Sequence, residues 1–153
     1  MKTLVLGLGN PILCDDGVGL RVARAVEGKL NRQDVTVAEA SIASLDLLDL
    51  IVDFDRAIII DAIRTRDGKA GQIYRLEPTV FNDTRHAAPP HGLNLATALE
   101  LGNRLGLAVP HEIVIFAIEV ENVTSFGEEC TPEVERAIPA VAEMVINELG
   151  LPS

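Results

Sequence analysis

Apolar positions along the chain fall into alternating runs of two kinds. Leu4 to Leu8 is a short continuous apolar stretch near the start, and Val18, Val22, Val26 and Leu30 then recur at helical spacing, with the helix beginning at Asp15 or Asp16. Val35 to Ala38 is brief and β-branched, Leu45 to Ile51 is a leucine-rich helix, and Ala57 to Asp61 reads as a buried strand. Arg66 to Gly71 carries turn chemistry, and Gln72 to Leu76 alternates polar with apolar residues, as a half-exposed edge strand does. His91 to Leu105 keeps its apolar residues on one helical face and follows Ala87-Ala-Pro-Pro, through which no helix runs, so His91 lies at or beside a helix start. Glu112 to Ile118 is another buried strand. Thr131-Pro132-Glu133 supplies an N-cap, an N1 proline and an N-terminal acid for a last helix reaching Leu149 and Gly150. The order β-α-β-α-β-β-α-β-α predicts an α/β three-layer sandwich: a twisted, mostly parallel five-stranded sheet with one antiparallel edge strand and helices on both faces. With no linker or repeat, residues 1–153 form one domain.

This topology also predicts where a ligand goes. In doubly wound sheets the crevice opens at the carboxyl ends of the strands beside the order reversal, here strands one and three. The loops at Asn10 to Asp16 and Asp61 to Ala62 should line it.

Charge narrows the possible partners. Thirteen basic against 23 acidic residues leave a net −10, the wrong balance for a nucleic-acid binder. From Leu105 onward Arg136 faces nine acids, which suits an acidic face that steers a basic part of a partner and equally a solvated acidic helix. No apolar run approaches the roughly 20 residues that span a bilayer, and Gly7, Gly9, Asn10 and Pro11 interrupt any signal-like start. The expectation is a cytoplasmic protein with no membrane partner, acting as a monomer. Cys14 and Cys130 form neither a disulfide framework nor a zinc spacing.

Gly7-Leu-Gly9-Asn10-Pro11-Ile12 follows strand one where a dinucleotide fingerprint would lie, but Ile12 takes the third glycine position. Asp15 and Asp16 then occupy the place of a pyrophosphate. Two unit charges about 5 Å apart repel by roughly 3 kcal/mol at an effective dielectric near 20, more than the helix dipole's benefit of about 1 kcal/mol. The acid pair suits helix capping, yet two adjacent carboxylates repel unless a cation or proton is shared. Gly17 and Gly19 would let such a group approach the backbone. Asp61 ends an apolar run, where α/β folds place functional carboxylates and where an Asp also closes strands. His91, after two prolines, suits a cap as well as a site; His86 and His111 have no context that assigns a role. The carboxylates beside Cys14 disfavour a thiolate. No Gly-x-Ser-x-Gly elbow and no HExxH motif occurs.

Gly7-Leu-Gly-Asn-Pro-Ile-Leu-Cys-Asp-Asp-Gly17-Val-Gly19, Ile58-Ile-Ile-Asp61-Ala62 and Pro90-His91-Gly-Leu, in this order and over nearly the whole chain, closely resemble the nickel-iron hydrogenase maturation endopeptidases. The resemblance implies an endopeptidase that removes the C-terminal extension of a hydrogenase large-subunit precursor after nickel insertion. It implies that Asp16, Asp61 and His91 bind metal and carry the activity. The metal is nickel brought by the substrate, or another divalent ion such as zinc or manganese at the same site. Many members carry Glu where this chain has Asp16. They commonly have a glycine-rich turn where it has Glu39-Ala40-Ser41-Ile42, and an acid or amide followed by Pro where it has Glu119-Val120. Two carboxylates and an imidazole suit such borderline metals and leave positions open. The expected nucleophile is a water activated by a carboxylate or by the metal. The alternative function is a non-catalytic metal-sensing chaperone or binding module for a hydrogenase subunit. Gly-Leu-Gly-Asn-Pro also resembles the start of peptidyl-tRNA hydrolases, whose catalytic histidine is missing between Asn10 and Val26.

Overall fold

A computed structural model describes residues 2–9, 17–30, 32–40, 44–65, 67–77, 95–120 and 131–150. Among these residues nine elements follow in order: β1 (Thr3–Leu8), α1 (Val18–Lys29), β2 (Val35–Ala40), α2 (Ser44–Ile51), β3 (Arg56–Ile63), β4 (Ile73–Leu76), α3 (Leu95–Arg104), β5 (Glu112–Glu119) and α4 (Pro132–Gly150). The strands form one five-stranded sheet in the order β2-β1-β3-β5-β4. β1 pairs in parallel with β2 and β3, β3 in parallel with β5, and the edge strand β4 antiparallel with β5. This is the predicted architecture, with the order reversal between β1 and β3.

Because strand side chains alternate between faces, the buried strands β1, β3 and β5 feed two cores. Val5, Ile58, Ile60, Phe116 and Ile118 pack with α1 and α4, including Val22, Val26, Val141 and Val145. Leu4, Leu6, Ile59, Ile63 and Ile115 pack on the other face with Leu48 and Ile51 of α2, against which Leu99 and Leu101 of α3 also lie. Helices thus cover both faces.

Element boundaries depart from the sequence reading in several places. α1 starts at Val18 with Gly17 as its N-cap and no acid in its first turn, rather than at Asp15 or Asp16. β2 runs on through Glu39 and Ala40, because both keep pairing with β1. β3 continues past Asp61 to Ile63, because Ala62 and Ile63 pair with Ile118 and Glu119. The last helix also runs through Pro139, whose ring is exposed where it removes one helical N–H.

Candidate active site

Asp61 sits at the point the topology singles out. The β1–β3 ladder ends at the pair Gly7–Ile60, so Asp61 is the first residue of β3 beyond it, at the carboxyl rim of the sheet. Two residues from Ile59 and from Ile63, its side chain shares their face of the strand and projects to the side carrying α2 and α3. It is fully buried, and its Oδ1 accepts the N–H of Ala62 at 2.8 Å, which fixes the carboxylate's orientation. An apolar strand followed by an acid at the rim is the local sequence logic that puts it there.

The two other expected site residues, Asp16 and His91, lie outside the described residues, as do Asp15, Cys14, Cys130 and His86. The elements around them set the chain's course. Residue 16 immediately precedes Gly17, the cap of α1, in the connection that leaves β1 at its carboxyl end. His91 lies four residues before α3, whose far end leads into the amino end of β5, so the start of α3 belongs to the carboxyl side. Among the described residues no three His, Cys, Asp or Glu side chains come together as a metal site. His111 is exposed at the amino end of β5, the opposite end of the sheet from Asp61.

Gly17 and Gly19 were expected to admit a ligand. What approaches Gly19 is the protein itself: a Cβ there would meet the carbonyl oxygens of Leu8 and Ile60, and one at Gly7 would meet Gly19 and Ala23. The second glycine of the pair therefore seats α1 on β1 and β3.

A second buried carboxylate belongs to the same rim. Glu119 ends β5 in register with Ile63, and only 2% of it is exposed. Its Oε2 accepts the Thr65 N–H at 2.7 Å, and its Oε1 accepts the Thr65 hydroxyl at 2.7 Å and the Tyr74 hydroxyl at 3.1 Å. Its backbone N–H donates to Gln72 and its carbonyl accepts from Gly71. With Asp61 opposite Ala117 and Ile63 opposite Glu119, the two acids are diagonal neighbours on one sheet face. Strand spacing and rise put their backbones about 8 Å apart. Burial of the Tyr74 phenol pushes its pKa above the ordinary 10; the Thr65 hydrogen bond opposes that shift and the Glu119 contact adds to it. Tyr74 therefore stays a donor. The role of Glu119 was not assigned from sequence, although its signal, an acid closing a buried apolar run, is the one that marked Asp61.

A family model described as hydrogenase maturation protease (HycI) matches residues 20–148. The chain belongs to the hydrogenase maturation protease family. It is 30% identical over 155 residues to the Hydrogenase 2 maturation protease of Escherichia coli (strain K12), across 97% of this chain and 91% of that protein. Among solved structures, the hydrogenase maturating endopeptidase HybD from E. coli superposes with a TM-score of 0.81 at 30% identity, covering 97% of this chain and 92% of that one. The fold extends to the NiFe hydrogenase maturation protease HybD from Thermococcus kodakarensis, with a TM-score of 0.73 at 23% identity over 97% of this chain and 99% of that one. This family member is thus an endopeptidase, and the rim around Asp61 is its candidate active site.

Proposed function

We propose that this maturation protease removes the C-terminal extension of a nickel-iron hydrogenase large-subunit precursor once nickel is in place, with Asp16, Asp61 and His91 recognising that nickel. The observation that carries the reading is Asp61: a buried, oriented carboxylate at the carboxyl rim, beside the order reversal of a maturation-protease fold. β1 ends, and α1 and α3 begin, on that side of the sheet, and Asp16 and His91 precede those two helices in the sequence. Two carboxylates and one imidazole make a mixed oxygen and nitrogen donor set that lacks the fourth ligand of a closed structural site. Such a set is suited to completing the coordination of an ion already held by the substrate's thiolates. Binding then depends on correct metal insertion, and the triad acts as a checkpoint. The protein acts in the cytoplasm as a monomer; among the described residues no helix is long and apolar enough to cross a membrane.

The test is mass spectrometry of nickel-loaded and nickel-free precursor after mixing with chelator-stripped protein. The expected result is a lost tail on the nickel-loaded form alone, abolished by Asp16→Asn or His91→Ala without loss of fold. Equal cleavage of both precursors overturns the checkpoint. Activity lost on stripping and restored only by metal added to this protein points to an ordinary metallopeptidase, and intact precursor throughout to a chaperone.

A further inference from the structure

β2 is an edge of the sheet, with β1 on one side only. Thr3 donates its N–H to the Asp34 carbonyl and Gly9 donates to that of Ala40, so in the parallel ladder Asp34, Thr36, Ala38 and Ala40 turn their backbone groups to β1. Val35, Val37 and Glu39 turn theirs outward, where these groups meet no hydrogen-bond partner among the described residues. We infer that this outward row is a docking edge for the polypeptide being processed, which adds to the sheet as an extended strand beside β2. The inference rests on the reading of the chain as a protease acting on a precursor, and names where that substrate is held.

Edge strands ordinarily carry devices against such pairing: shortness, a charge, a proline or a bulge. The opposite edge has two of them, since β4 is four residues long and contains Arg75, which is ion-paired with Glu148 of α4. β2 has six residues, Val-Thr-Val-Ala-Glu-Ala, in unbroken register with β1 and without lysine, proline or glycine. Its one charge, Glu39, is neutralised by Arg24 at 2.9 Å. The β-branched residues Val35, Thr36 and Val37 are of the type that packs well against a cross-strand neighbour.

The edge leads to the candidate active site. Glu39, Gly7 and Ile60 share one row across β2, β1 and β3, one residue short of Asp61. A strand added outside β2 lies three strand spacings from β3, about 14 Å at about 4.8 Å each. An extended chain covers that distance in about four residues, so one polypeptide reaches from the edge to Asp61. Main-chain hydrogen bonds at alternate residues supply the affinity in this mode of recognition. A second copy of this chain suits the edge poorly. Six residues of strand run about 20 Å and bury on the order of 300 Å² on each partner, against roughly 800 Å² in a stable interface. Two copies that each carry −10 also repel.

Hydrogen exchange of the full chain, read residue by residue by mass spectrometry, tests this. Nickel-loaded precursor is supplied in large excess, so that the protein stays occupied during a short pulse. Exchange at Val35, Val37 and Glu39 should slow about tenfold or more, while Thr36 and Ala38, already bonded to β1, keep their rates. That alternation is the mark of an added strand, and unchanged rates at the three outward amides overturn the docking edge. So does slowing of those amides in the protein alone that grows with its concentration, which assigns the edge to a second copy. Val37→Pro removes an outward N–H and leaves the β1 ladder intact. It should raise KM for the precursor about tenfold, as loss of one or two hydrogen bonds does, with kcat unchanged. An unaltered KM in folded Val37→Pro protein overturns the edge as well, and the exchange experiment on the unaltered chain decides the matter if that variant does not fold. Precursor that slows the three amides yet keeps its full mass sinks the protease reading and leaves the edge standing. Precursor trimmed normally with the three amides unaffected does the reverse.

Discussion

Tyr74 is the single tyrosine of a chain with no tryptophan, so its phenol can be titrated by ultraviolet absorbance without interference. Burial raises its pKa above 10; the Thr65 contact opposes the shift and Glu119 adds to it. The folded state thus favours the neutral phenol. For a group whose folded pKa exceeds the unfolded one, its stabilisation is complete below about 10 and is lost as pH rises through the folded value. The expected outcome is a midpoint above 10 in the native protein that falls to about 10 in denaturant, with stability declining over that alkaline window. Glu119→Gln should move the native midpoint down. A native midpoint at or below 10 would mean the phenol is neither buried nor held by Glu119. At this scale the sequence was half legible. Asp61 stood out because an acid after three isoleucines has little reason to be there. Glu119 did not, because its partners Thr65 and Tyr74 lie 54 and 45 residues away and meet it only through the pairing of β5 with β3 on one side and β4 on the other.

At the scale of elements, the seat of α1 decides the geometry of the rim. The first turn of α1 lies on the carbonyls of Leu8 and Ile60, so close that only glycine fits at 19. A methyl group there must push the helix off the sheet beside Asp61. Gly19→Ala is expected to cost about 3 kcal/mol, the upper end for overpacking against an unyielding neighbour. Gly28→Ala in the same helix meets nothing within 4 Å and should gain roughly 0.5–1 kcal/mol from helix propensity. Denaturant midpoints with unchanged m-values measure both, and similar values for the two variants would show that Gly19 is not packed as described. Periodicity located every element among the described residues, since the buried faces repeat at 2.0 and 3.6 residues. It missed the ends of β2, β3 and α1 because those depend on partners: β3 outlasts its apolar run only because β5 is there to pair with it. The connections holding Asp16 and His91 have no such periodicity, and the assignment of those two residues rests on motif resemblance.

Across the whole molecule, four of the nine acids from Leu105 onward make contacts within the fold. Glu119 is buried, Glu135 binds Arg21 of α1, Glu148 binds Arg75 of β4, and Glu133 neighbours Arg136. Two of these pairs tie α4 to α1 and to the edge strand, so the acids serve contacts between elements. A linear count of charge cannot reveal the ties to α1 and β4, because Arg21 and Arg75 come from distant parts of the chain. The ion pairs span 2.6–3.6 Å, so salt weakens them less than it weakens repulsion between distant charges. The repulsion among the excess of ten negative charges acts over the full width of the protein. It is felt at 0.01 M, where the Debye length is about 30 Å, and is largely removed at 0.15 M, where it is about 8 Å. Because the compact state concentrates that charge more than the unfolded chain does, sodium chloride should stabilise the fold. The expected rise in Tm between those concentrations is about 3–6 °C, corresponding to on the order of 1–2 kcal/mol for a domain of this size. Scanning calorimetry at fixed pH measures it. A Tm that falls with salt would mean that the short ion pairs outweigh the net charge, and that α4 is held to α1 and β4 chiefly by electrostatics rather than by Val134, Val141 and Val145 in the core.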